Sequence, residues 1–218
     1  MELSGLSRVR RTPTLDHERV SALTHGFGAV LAVVGLVILL VAASHGSDPW
    51  VVVGFAVFGG SMVFLYLASF FYHWFQGSGL KHVLHIFDHI GIFVLIAGTY
   101  TAFALSVLRN GPGWFLVTIV WTVAILGIVM KVLFVSRWPA LSLTLYLLMS
   151  WLICLVWGPL ADAGKPNLTA FLMAGGLSYT VGTVFFVLGN RWGWFHPVWH
   201  LFVLGGTICH FFAILAIV

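Results

Sequence analysis

Seven separate apolar runs, each close to the length of a membrane-crossing helix, constrain this chain more than any other feature. They fall at about residues 22–43, 51–72, 86–107, 113–134, 139–159, 168–188 and 198–218, each bounded by charge, Gly or Pro. A helix needs roughly 20 residues to cross the hydrocarbon core. The runs lack period-2 alternation, so helices rather than barrel strands are expected, because backbone N–H groups in lipid must pair internally. Composition demands the same solvent. Of 218 residues, 61% are hydrophobic and 7% charged, and mean hydropathy is +1.06. A soluble domain carries about a quarter charged residues, and disorder needs low hydrophobicity.

The expected architecture is all-α: an N-terminal segment 1–21 and a seven-helix membrane domain 22–218, with short connections and no internal repeat. Arg8, Arg10 and Arg11 ahead of the first run imitate a secretory signal. That run exceeds the roughly 7–15 apolar residues of such a signal, and six more spans follow, so it reads as the first span. Cys154 and Cys209 lie inside apolar runs and form neither a disulfide framework nor a CxxC site.

Orientation follows from Lys and Arg. With the N-terminus cytoplasmic, inner segments hold Arg8, Arg10, Arg11, Arg19, Lys81, Lys131, Arg137 and Arg191, and outer ones only Arg109 and Lys165. This positive-inside bias puts the N-terminus inside and, after seven spans, the C-terminus outside. The net charge of +4 therefore speaks to orientation, not to nucleic acid. Membrane lipids are the expected partners. Lys131, near an inner helix end, is expected to snorkel.

Charged groups inside spans are expensive and mark function. Besides Lys131, the runs contain only Asp88, expected in the first turn of the third span, where a helix-start carboxylate is the plainer explanation. The histidines add weight. His73 closes the second span, and His196 and His200 open the seventh, four residues apart and so on one helix face. These ends share one side of the membrane in either orientation, and Ser69 shares the face of His73. Paired His at i, i+4 is how a helix offers two ligands to one metal. Three imidazoles leave Zn²⁺ an open position, where water reaches a pKa of roughly 7. Asp88 can orient that water and take its proton, and Ser69 can donate to a substrate oxygen or bond back to its own helix.

Alternatives stand beside this. A single interfacial His can simply keep its polar tip at the headgroups. Pro197 pushes His196 toward an N-cap position, off the ideal face. His82, His85 and His89 around Asp88 form a competing cluster that spacing does not exclude. His25 borders the same layer, whereas His210 lies roughly 15 Å deeper and is expected to be a buried hydrogen-bonded imidazole. His17 and His45 are expected outside the spans.

Five blocks then carry a resemblance. They are Glu18 with Thr24-His25-Gly26; Ser69-Phe70-Phe71-Tyr72-His73; Phe87-Asp88-His89; Ile96-Ala97-Gly98-Thr99-Tyr100-Thr101; and His196-Pro197-Val198-Trp199-His200 with Cys209-His210. In these the chain resembles the hemolysin III group of bacterial membrane proteins, related to the progestin and adiponectin receptor family, over nearly all its length after the first 15 residues. The resemblance implies seven helices and a zinc site near the cytoplasmic face, held by His73, His196 and His200. It also implies a water-holding Asp88 and a functional Ser69, and so favours His73 over the competing cluster. Ala102 departs from the proline often found there, and Glu18 receives no role.

Three functions remain open at this level. One is a zinc-dependent hydrolase of a lipid amide or similar bond. Another is a receptor-like regulator of membrane lipid or energy state with structural zinc. The third is a pore-forming cytolysin, which the lack of a long polar stripe argues against. Substrate and oligomeric state are not encoded legibly.

Overall fold

The computed structural model describes residues 15–46, 48–163 and 165–218. The described residues are helical, with no strand. The helices are α1 (Leu15–Ser44), α2 (Pro49–Trp74), α3 (Ser78–Ser106), α4 (Gly113–Phe134), α5 (Pro139–Ser150), α6 (Trp157–Asp162), α7 (Pro166–Gly189) and α8 (Phe195–Leu215). A 3₁₀ segment, Trp151–Val156, joins α5 to α6 within one span, Pro139–Asp162. Seven spans are thus long and apolar enough to cross a membrane. Arg8, Arg10 and Arg11 lie outside the described residues.

Two helices start earlier than apolarity predicts. α1 begins at Leu15 rather than residue 22, so His17 is inside it. α3 begins at Ser78 rather than residue 86, which shrinks the predicted 73–85 loop and sets Asp88 well inside the helix, not in its first turn. The explanation of Asp88 as a helix-start carboxylate falls with this. Lys131 also departs from expectation: it is 1% exposed, and its Nζ donates to the Val135 carbonyl, 3.2 Å away, at the end of its own helix.

α3 is central, packing against α2, α4, α5 and α8, while α1 lies against α2 and α8. The buried side of α1 recurs every three or four residues: Glu18, Ser21, Ala22, His25, Gly28, Ala29, Ala32, Gly35 and Leu39. Its other side (Leu23, Phe27, Val30, Val34, Val37) is exposed, as lipid contact requires. Small residues on the inner stripe bring α1 close to α2; a Cβ on Gly28 would fall 2.6 Å from Tyr66 Cδ1. Phe55, Phe58, Met62, Tyr66 and Leu95 fill this half of the interior, and Phe93, Phe103, Val120, Tyr146 and Leu172 fill the other.

The break in the fifth span leaves backbone groups that lipid cannot satisfy. Tyr100 answers this from α3: its hydroxyl donates to the Ser150 carbonyl at 2.8 Å and accepts from Ile153 N–H at 2.8 Å. On the side away from the histidines, the Asp48 side chain caps α2 by accepting from Trp50 N–H at 3.0 Å, and Arg109 pairs with it at 2.6 Å.

Candidate metal centre

α2 ends with His73 as its last residue but one, and α8 opens with His196 in its first turn. Trp194, not His196, is the N-cap of α8. Pro197 is tolerated there because first-turn N–H groups have no partner within the helix. His196 and His200 therefore keep true helical spacing, their ring centroids 4.7 Å apart.

The helix ends converge. His73 Nε2 and His196 Nε2 stand 3.3 Å apart. The His73 and His200 ring centroids are 4.9 Å apart. Among the described residues these three histidines form the one group whose donor atoms all lie within 4.8 Å of one another. His73 is 4% and His200 2% exposed. Two nitrogens bound tetrahedrally to one ion at 2.0–2.1 Å would stand about 3.3–3.4 Å apart, so the His73–His196 spacing fits two imidazoles on a single metal ion.

Hydrogen bonding fixes which nitrogen is free. His200 Nδ1 lies 3.2 Å from the Ser21 carbonyl, which can only accept, so Nδ1 carries the proton and Nε2 is bare. Thr24 Oγ1 gives its own proton to the same carbonyl at 2.8 Å and lies 3.2 Å from Nδ1. His73 Nδ1 lies 2.9 Å from Glu18 Oε2, which Lys81 Nζ also reaches at 3.0 Å. A bare His73 Nε2 then faces His196 Nε2.

Asp88 and Ser69 lie alongside, outside the three-histidine group. Asp88 feels the charges of His73, Glu18 and Lys81 and lies beside Ser69. Ser69 Oγ is buried, with the Asp88 carboxyl as its polar neighbour and no well-aligned hydrogen bond among the described residues. It does not bond back to its helix, unlike Ser61, whose Oγ donates to the Phe58 carbonyl at 2.6 Å. The competing cluster does not assemble. His82 is exposed, His85 stacks on Tyr72, and His89 Nδ1 donates to the His85 carbonyl at 3.1 Å. His25 does border the site, stacked on His200 with centroids 3.6 Å apart. His210 lies away from it, Nε2 3.3 Å from the Leu172 carbonyl. No role for Glu18, Lys81, Ser21 or Thr24 follows from the sequence; the places of Glu18 and Thr24 in the first block are the signal for two of them.

A partly open cleft of about 90 Å³ lies between α3, α5, α7 and α8, walled by Ile92, Tyr100, Leu172, Tyr179, Phe186 and Trp199. Trp199 adjoins His200 in sequence, and the Phe186 ring packs at 6.2 Å from the His196 ring.

Fold and site define a multi-pass, seven-helix membrane protein with a histidine cluster that can hold a metal ion. The chain belongs to the family described as "Haemolysin-III related", whose model matches residues 14–211. It is 42% identical over 206 residues to "Hemolysin-3" of Bacillus cereus, covering 94% of each chain. It is 41% identical over 202 residues to "Hemolysin-3 homolog" of Bacillus subtilis (strain 168), covering 93% of this chain and 94% of that one. A distant human relative, "Monocyte to macrophage differentiation factor", is 27% identical over 215 residues, covering 94% of this chain and 86% of its own length.

Proposed function

We propose that this protein is a zinc-dependent hydrolase of lipid amides or similar bonds, working at the cytoplasmic face of a bacterial inner membrane. The observation that carries the reading is the 3.3 Å separation of two imidazole nitrogens in a largely buried three-histidine group, with Asp88 and the buried Ser69 hydroxyl alongside. His73, His196 and His200 hold the ion. Bound zinc supplies Lewis acidity and brings water at its open position toward a pKa of roughly 7. Asp88 orients the attacking water and accepts its proton. Ser69 donates to the substrate carbonyl oxygen. Water oxygen adds to the acyl carbon, the C–N bond breaks, and the proton held on Asp88 passes to the leaving amine. The apolar cleft beside Trp199 has room for a short stretch of an acyl chain. Eight Lys and Arg on one side against two on the other support the cytoplasmic placement.

A receptor-like regulator with structural zinc is the second reading. Its support is that the ligands come from α2 and α8 while α1 backs two of them, so an ion there ties three helices together. The test is turnover of a fluorescent long-chain N-acyl amide by the full chain in nanodiscs. Zinc-dependent fatty-acid release that Asp88→Asn abolishes supports the hydrolase. An inert, fully zinc-loaded wild type across short and long acyl amides overturns it.

A further inference from the structure

Glu18 is 8% exposed, a carboxylate buried in the first turns of a membrane helix. Such a placement is costly unless the charge is partnered. Its partners come from two other helices: His73 Nδ1 on α2 and Lys81 Nζ on α3, both at Oε2, at 2.9 and 3.0 Å. Lys81 is itself held, with Gln76 Oε1 3.2 Å away and the Tyr72 ring 4.6 Å beneath it. Gln76 in turn donates to the His73 carbonyl at 2.8 Å. The carboxylate is therefore pinned from two sides, with one oxygen aimed at the back of a metal-ligand imidazole.

We infer that Glu18 is the positioning residue of the metal centre, fixing His73 in the tautomer and ring orientation that present Nε2 to the ion, with Lys81 holding Glu18 in place. An ionised carboxylate accepts and cannot donate, so the proton on His73 must sit on Nδ1. Without that acceptor, the Nε2–H tautomer becomes available, and its N–H points into the site and blocks ligation. The negative charge also raises the basicity of the imidazole and offsets part of the ion's charge. The pattern repeats one turn along α1, where the Ser21 carbonyl fixes the His200 tautomer. α1 contributes no ligand yet sets two of the three.

The inference rests on the three-histidine metal site, and the test separates the two. Full-chain protein in nanodiscs, labelled with ¹⁵N-histidine, is compared as wild type, Glu18→Gln, Glu18→Leu and Lys81→Met, with Arg19→Gln as an exposed control on the same helix. Zinc affinity is read by chelator competition, and the His73 tautomer by nitrogen shifts in the metal-free chain, assigned by difference against His73→Asn. Glu18→Leu is expected to weaken zinc about 10–100-fold and to lose the fixed Nδ1–H signature. Glu18→Gln keeps size and an accepting oxygen, so it should fold and fall between Leu and wild type. Arg19→Gln should match wild type. Wild-type affinity together with an unchanged His73 tautomer in both Glu18 variants overturns the inference. A wild type that binds no zinc overturns the metal reading itself. Lower thermal stability without change in tautomer or affinity makes Glu18 only a tie between helices, which also overturns it.

Discussion

The Nε2 atoms of His73 and His196 stand 3.3 Å apart although 123 positions separate the residues in the chain. Two imidazoles brought this close nose to nose share a proton or a metal ion. The carboxylate behind His73 suits that imidazole to a metal ion. Each expectation below follows from this arrangement or from the packing that holds it.

Asp88→Asn keeps size and a hydrogen-bonding oxygen but removes the base. Because Asp88 is outside the three-histidine group, zinc should weaken by roughly 10–100-fold at most. At saturating zinc the hydrolase reading expects a folded, metal-loaded and inactive protein. Zinc content, amide turnover and cellular phenotype on the same preparation decide it, and full phenotype at full zinc counts for the regulator.

Ser69→Ala removes a buried hydroxyl whose polar neighbour is Asp88 and which makes no well-aligned hydrogen bond. Losing so weak a contact costs little stability. The variant should melt close to the wild-type temperature while amide turnover drops about 100–1000-fold, the scale of losing one donor to a developing oxyanion. A clear loss of thermal stability would assign Ser69 to packing instead.

Gly127→Ala tests the α3–α4 contact. A Cβ there overlaps the ring of Phe93, which is fully buried and packed on Tyr146, with no room to swing. Overpacking of this kind costs about 1–3 kcal/mol. Thermal unfolding should register it with zinc affinity unchanged; an unaltered melting temperature means the helices are farther apart than described.

Outside the spans, Arg109 and the Trp50 N–H hold the Asp48 carboxyl below its usual pKa. A depressed folded-state pKa contributes stability that is present above the unfolded value of about 3.9 and lost as pH falls through the folded one. The melting temperatures of wild type and Asp48→Asn should differ at neutral pH and converge in acid. The exposed pair makes the gap small. Parallel curves down to pH 2 would show that the pair contributes no pH-dependent stability.

What the sequence revealed followed its apolarity. Seven spans, the layer of His73, Asp88, His196 and His200, and the pairing of Ser69 with that layer were all legible, because lipid enforces a simple pattern. What it hid lay where helices leave that pattern. Residues 15–21 and 78–85 carry Asp16, His17, Glu18, Lys81, His82 and His85, too polar to read as span. They are helical because Glu18 bonds across to His73 and Lys81, and His85 stacks on Tyr72, contacts no local periodicity encodes. Proline disfavours the helical region for the residue before it, which by sequence places His196 at a cap, whereas Trp194 is the cap and both His196 and Pro197 lie in the first turn. The Ile96–Thr101 block was recognisable, but the role of Tyr100 needed the broken fifth span to be seen.

The most direct test of the account is zinc content by elemental analysis, with X-ray absorption at the zinc edge, on the purified full chain and its histidine variants. The account predicts about one zinc per wild-type chain with three nitrogen neighbours at 2.0–2.1 Å. It predicts a strong loss in His73→Ala, His196→Ala and His200→Ala, and near-normal occupancy in His82→Ala and His85→Ala. Zinc retained in His73→Ala but lost in His82→Ala or His85→Ala would contradict it, as would a wild-type chain that takes up no zinc.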